Sequence, residues 1–148
     1  MTEAISEDTI HTTINAFYRA FAGKDVDLLR QVVTPDWEYL PEPPGAKPGA
    51  DQMKGPFERM AVALPDMQIT ILDLLIHGDR VGVRAEVTGT QSGELLGVAP
   101  SAKQIRFAIH SFHQLRGPLV VKTWHLEDWM SVFKQIGQLP ANLDAHPI

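Results

Sequence analysis

The 148 residues contain no cysteine. Disulfide frameworks, cysteine-ligated zinc and thiol nucleophiles are thereby excluded, and the redox compartment is left open. No apolar run approaches the roughly 18 residues that a membrane-spanning helix needs. The opening MTEAISEDT is acidic and polar, unlike the basic-then-apolar head of a secretory signal. A cytoplasmic protein with no membrane partner is expected. A basic stripe is missing too: 13 Lys and Arg stand against 18 Asp and Glu, for a formal charge of −5, which argues against nucleic acid as a partner. There is no serine nucleophile elbow, phosphate-cradling glycine loop or dinucleotide fingerprint. Internal repeats and low-complexity segments are also lacking.

What remains is the composition of a globular chain, 44% apolar and 21% charged. The length fits a single domain over residues 1–148, with a Pro/Gly-rich loop at 41–50 and a C-terminal tail at 138–148. Ser6 followed by Glu7 and Asp8 signals a helix start. Ile10, Ile14, Phe17 and Phe21 then form one apolar stripe that Gly23 ends. Asp25 opens a second short helix carrying Val26, Leu29 and Val33, closed by Pro35. WEYL, 37–40, reads as a short strand. PEPPGAKPG, 41–49, cannot form regular structure, because its prolines lack donors and its glycines are permissive. A third helix is expected over 51–64, with Met53, Phe57, Met60 and Leu64 inward.

Beyond LPD at 64–66 the period changes from helical to twofold. Residues 67–77, 79–90, 103–115 and 119–126 read as four strands. Helices first and strands afterwards argue for an α+β fold with an antiparallel sheet. The strands look apolar on both faces. In 67–77, Ile69, Ile71 and Leu75 alternate with Leu72, Leu74 and Ile76; in 103–115, Phe107 and Ile109 stand opposite Ala108 and Phe112. The helices can cover one face, and a second copy of the chain is the expected cover for the other, making a homodimer.

The stretch KTWHLEDWMSVFKQIG, 122–137, carries the chemistry. Asp128 is a good N-cap for the amphipathic helix that follows, whose apolar positions are Val132, Phe133 and Ile136 and whose end is Gly137. It is equally a candidate acid/base, since a carboxylate can both take and return a proton. An apolar wall from Trp124, Trp129 and helix Phe and Met residues would supply the desolvation such a carboxylate needs. Both readings stay open, and one side chain can do both. His110, mid-strand beside Ala108 and Phe112, is the second catalytic candidate, as a hydrogen-bond donor; a core histidine is the alternative. His125 and Glu127 share the strand face opposite Trp124 and Asp128 and read as a solvated or interface pair.

Trp37, Tyr39, Phe57 and Met60 are candidates to line a pocket for a flat apolar substrate, with Phe112, Trp124 and Trp129 beside them, although such stripes also serve as plain core. Arg84, alternating with Glu86, reads as part of a cross-strand ion network and as a polar group for substrate. No metal is expected: His110 and His113, three apart on a strand, face opposite ways, and His125 with Glu127 lacks a third ligand.

Three pieces of the chain resemble the SnoaL-like polyketide cyclases and predicted ester cyclases, within the nuclear transport factor two-like fold. ALPDMQITILDLLIHGDRVGVRAEVTGT is similar to the family's FPD, GD-R-V and GT strand pair. SGELLGVAPSAKQI resembles its G-E-F-x-G-x-x-P-T-G-K turn, and Trp124-x-x-x-Asp128 followed by QIG resembles its W-x-x-x-D…QLG ending. The resemblance spans roughly residues 8–138. It implies a curved antiparallel sheet wrapped with three helices into a cone, an internal pocket, and often a dimer. It also implies that Asp128 is the general acid/base. Two departures stand out: Gln91 replaces the family's His after GT, and Pro100-Ser101-Ala102-Lys103 replaces PTGK. The expected function is cofactor-independent enolate chemistry on a small apolar or aromatic carbonyl compound, as cyclisation, isomerisation or retro-aldol cleavage. The alternatives are a hydrolase or dehydratase using an Asp–His dyad, and a non-catalytic ligand-binding or dimerisation module.

Overall fold

Ser6 starts the first helix from an extended backbone, and its hydroxyl accepts a hydrogen bond from the Thr9 amide at 3.1 Å. One of the donors that a first turn leaves unpaired is thereby satisfied. In the computed structural model, which describes residues 5–143, α1 runs Glu7–Gly23 and buries Ile10, Ile14 and Phe17, with Phe21 half-buried. Asp25 caps α2 (Val26–Val32) by accepting from the Leu28 amide. The chain then passes straight into β1 (Val33–Leu40), which begins four residues ahead of WEYL. Pro35 does not interrupt it, because β1 lies at the edge of the sheet, where a missing donor costs no ladder bond.

Residues 41–49 form no helix or strand. A 3₁₀ turn, Ala50–Met53, leads into α3 (Lys54–Ala63). Four strands follow, β2 (Gln68–His77), β3 (Arg80–Thr90), β4 (Gln104–Arg116) and β5 (Leu119–Glu127), and α4 (Trp129–Ile136) closes the fold. The sheet order is β1-β5-β4-β3-β2. Neighbours are antiparallel except β1 and β5, which run parallel, with Tyr39 opposite Thr123 and Leu40 opposite Trp124. The sheet is therefore mixed rather than purely antiparallel. All of the chain between β1 and β5 serves as the long crossover that parallel pairing requires. Among the described residues four α-helices accompany it: α1 and α2 before β1, α3 between β1 and β2, and α4 after β5. Of the expected tail 138–148, residues 144–148 lie outside the described residues.

One irregularity changes which side chains point inward. The β2–β3 register shifts between Ile71 and Asp73. The extra residue in this bulge reverses the alternation beyond it. Ile69, Ile71, Leu74 and Ile76 therefore all pack against the core, whereas Leu72 and Leu75 are exposed. The two-sided apolarity of β2 thus comes partly from a bulge. The outer face still carries Leu75, Phe112 and Leu126 at 73%, 65% and 72% exposure, enough for an apolar patch.

Two apolar clusters fill the inner side. One joins α1, α2, β1 and the 3₁₀ turn to β3 around Trp37, Phe17, Phe57 and Val81. The other joins the end of α3, the 95–98 turn and α4 to β3 and β4 around Leu64, Val98, Phe107 and Phe133. Ile69 and Ile109 touch both clusters and mark the seam between them.

Candidate functional site

β5 decides what faces that seam. Thr123 is fully buried beneath His113 and Trp37, so by strand alternation His125 and Glu127 follow it inward and Trp124 and Leu126 turn outward. Glu127 stands opposite Ile109, one of the two residues at the seam. His125 and Glu127 are thus not a solvated outer pair: their side chains are only 9% and 17% exposed. Alternation separates two faces of a strand without saying which is inside, and that choice is made by the partners of Thr123.

The two side chains touch. Glu127 Oε1 lies 2.7 Å from His125 Nδ1 and accepts the Tyr39 hydroxyl at 3.4 Å. His125 Nε2 faces the Pro41 carbonyl at 3.3 Å. Each imidazole nitrogen thus has an oxygen partner, Glu127 on one side and Pro41 on the other. The Tyr39 ring stacks on the imidazole, with centroids 3.7 Å apart and planes 6° from parallel. Burial, then the negative charge of Glu127, raises the Tyr39 phenol well above its ordinary range, so it stays a donor.

Behind this trio runs a second polar chain. Tyr18 Oη lies 2.9 Å from His113 Nε2, His113 Nδ1 lies 2.8 Å from Thr123 Oγ1, and the Trp37 indole donates to the same oxygen at 3.1 Å. Burial holds His113 down to about 3, so it is a neutral imidazole at ordinary pH. Burial likewise raises the Tyr18 phenol, against a smaller opposing effect of the Ser111 hydroxyl.

The expected site residues divide between the two faces. Asp128 caps α4: its Oδ1 accepts from the Ser131 amide at 3.1 Å, its own amide continues the ladder to the Ala108 carbonyl, and its side chain is exposed. His110 does not face the interior; it stands exposed on the outer face between Arg84 and Leu126. Arg84 is on that face too, paired with Asp73 at 2.6 Å. Phe112 and Trp124 stand beside each other there, and Arg80 and Lys122 lie over the Trp124 ring at 5.3 and 5.5 Å. His113, which shares β4 with His110, is wholly inside, so Phe107, Ile109, Ser111 and His113 form the inner row. Trp37 and Phe57 are core. Tyr39, Met60 and Trp129 remain half-buried on the inner side, Trp129 against Phe107 at 4.9 Å. Among the described residues no group of three metal-ligating side chains comes together.

Both departures from the family pattern have structural places. Gln91 is fully buried and its amide nitrogen donates to the Val98 and Ala99 carbonyls, tying down the turn after β3. Ala102 holds a left-handed backbone, φ 58°, at the position where the family pattern has glycine. Lys103 reaches the Ile136 carbonyl at the end of α4. Two surface depressions, one bordered by Lys24, Arg30 and Lys54 and the other by Glu38, Arg116 and Lys122, lie away from Glu127 and His125.

A family model described as SnoaL-like polyketide cyclase matches residues 12–136. Among solved structures, the chain is similar to TsrD from Streptomyces laurentii, with 21% identity and a TM-score of 0.82 over 91% of this chain and 99% of that one. It is similar to IdmH from Streptomyces antibioticus, provisionally named a polyketide cyclase, with 26% identity and a TM-score of 0.75 over 86% and 98%. AclR from Streptomyces galilaeus, provisionally named a hydroxylase, has 21% identity and a TM-score of 0.76 over 91% and 100%. No curated protein matches the chain significantly.

Proposed function

The chain belongs to the SnoaL-like polyketide cyclase family, and on that premise we propose an enzyme that acts on a small apolar or aromatic carbonyl compound by enolate chemistry. The carrying observation is the contact of a carboxylate, an imidazole and a phenol, Glu127, His125 and Tyr39, on the inner side of the sheet. Such groups suffice for the two tasks of the reaction class: taking a proton α to a carbonyl, and donating to the oxygen where charge then develops. Cyclisation, isomerisation and retro-aldol cleavage all begin with that enolate. The reading invokes proton transfer alone and no cofactor. The provisional cyclase name of IdmH supports the same broad class.

A flat, apolar substrate is favoured because Ile109 lies directly opposite Glu127 and belongs with Ile69, Met60 and Trp129 to the half-buried apolar residues of the second cluster. A dehydratase or hydrolase reading would use the same Glu127–His125 contact, because Asp128 and His110 do not come together. The exposed outer face supports a homodimer, with a second copy covering Leu75, Phe112 and Leu126. No helix among the described residues is long and apolar enough to cross a membrane.

The test is deuterium incorporation at the α-carbon of flat ketones in D₂O, followed by proton NMR. With 1-indanone, 2-tetralone and anthrone as probes, the protein accelerates exchange of at least one above the buffer rate. No acceleration of any of the three contradicts the proposal.

A further inference from the structure

Two adjacent carboxylates end β5, and they occupy different environments. Asp128 is exposed, and its Oδ1 is engaged by the first turn of α4. Glu127 is turned inward, and both of its contacts, from His125 and from Tyr39, converge on Oε1. Among the described residues no hydrogen bond reaches Oε2. The carboxylate is therefore held in one orientation by one oxygen while the other is left for a proton.

We infer that Glu127, not Asp128, is the catalytic acid/base of this chain, with His125 as its positioning residue. The inference rests on the enolate chemistry proposed above. In the reaction Glu127 Oε2 takes the α-proton of the ketone. The C–H electron pair becomes the enolate C=C bond, and the carbonyl π pair moves to oxygen. That oxygen is met by the Tyr39 hydroxyl, whose 3.4 Å bond to Oε1 is the looser of the two and the more easily exchanged for a new acceptor. When the enolate carbon attacks a second carbonyl, the new alkoxide takes back the proton that Glu127 carries, so charge and protons balance over the cycle. In the exchange assay the protonated Glu127 swaps with D₂O and returns a deuteron to carbon.

The geometry explains why the neighbouring aspartate is a poorer choice. An exposed carboxylate stays hydrated beside the substrate, whereas docking of a flat ketone at the seam strips water from Glu127 and leaves its charge facing the reacting carbon. His125 supplies orientation. Its ring is fixed on three sides, by Glu127, by the Pro41 carbonyl and by the face of Tyr39, so the carboxylate it holds is fixed as well.

The experiment compares Glu127→Gln, Asp128→Asn and His125→Gln in the ketone exchange assay, each with a thermal melt to confirm folding. Gln and Asn preserve shape, and Asn caps a helix about as well as Asp. Glu127→Gln should lose about 10²–10⁴-fold in exchange rate while still melting cooperatively. Asp128→Asn should stay within about threefold of the parent rate, since only its cap is exercised. For His125→Gln the rate at saturating ketone should fall with KM little changed, a split that a merely structural defect does not produce. A Glu127→Gln variant with parental exchange, or a folded Asp128→Asn variant that loses a hundredfold, overturns the assignment and leaves the enolate reading standing. Absence of exchange in the parent protein overturns that reading, and the assignment with it.

Discussion

His110 and His113 lie three residues apart on β4, one on each face of the sheet, and their surroundings differ in every respect that matters to an imidazole. His113 is sealed between Tyr18, Thr123 and the edge of Phe17, with both ring nitrogens engaged. His110 stands in solvent between Arg84 and Leu126. The same division runs along β5, where His125 and Glu127 meet inside while Trp124 and Leu126 face out. Outside, polar groups form exposed ion pairs such as Arg84–Asp73 and Arg106–Glu86, each worth about 0–1 kcal/mol. Inside, Tyr18, His113, Thr123 and Trp37 are tied into one buried chain, and Tyr39, Glu127 and His125 into a second group. The proposed proton chemistry belongs to the inner face, and the proposed association to the outer one.

The largest effect that can break this division is a pair of indole truncations. Trp37 is fully buried and bonded to Thr123, so Trp37→Ala should cost about 3–5 kcal/mol in urea unfolding. Trp124→Ala, on the outer face, should cost about 1 kcal/mol or less. Equal losses would erase the distinction between the faces.

The next effect is acid sensitivity. The folded His113 resists protonation down to about 3, while an unfolded chain takes up that proton near pH 6.5. The unfolded state therefore binds more protons between those values, and stability falls as the pH is lowered through that window. The His113 contribution should reach roughly 2–3 kcal/mol between pH 6.5 and 4.5. Denaturant midpoints at the two pH values check it, with a His113→Gln variant showing a shallower fall and His110→Gln an unchanged one.

Asp128 separates capping from chemistry at smaller scale. Asp128→Ala should lose roughly 0.5–2 kcal/mol, and Asp128→Asn should be nearly neutral in a melt. On the outer face, Phe112→Glu should change monomer stability by less than about 1 kcal/mol. It should still halve the mass seen by light scattering at micromolar concentration, from a dimer to the 16.4 kDa chain. A parent protein that already scatters as a monomer removes the association claim.

Local signals carried much of the fold. Ser6, Asp25 and Asp128 all announce helix starts through their own side-chain chemistry, and all three cap as read. The twofold period marked the four long strands to within a residue or two. What escaped depends on partners distant in the chain. The bulge at Ile71–Asp73 is a matter of pairing with β3, so the inward set of β2 could not be counted off by alternation. The parallel docking of β1 depends on β5, more than 75 residues away. The direction of His125 and Glu127 follows from what buries Thr123, and no residue near Glu127 in sequence reports it. Tyr18, four residues after Ile14 beside the apolar stripe of α1, was the one available hint of a polar group pointed inward.

The most direct test of the account is the ratio of two exchange rates, Glu127→Gln over Asp128→Asn, measured side by side on the ketone that the parent protein exchanges fastest. The account predicts a ratio of about 0.01 or lower, because removing a general base costs about 10²–10⁴-fold and replacing a cap by its equivalent costs almost nothing. A ratio at or above one, with both variants folded, would contradict it.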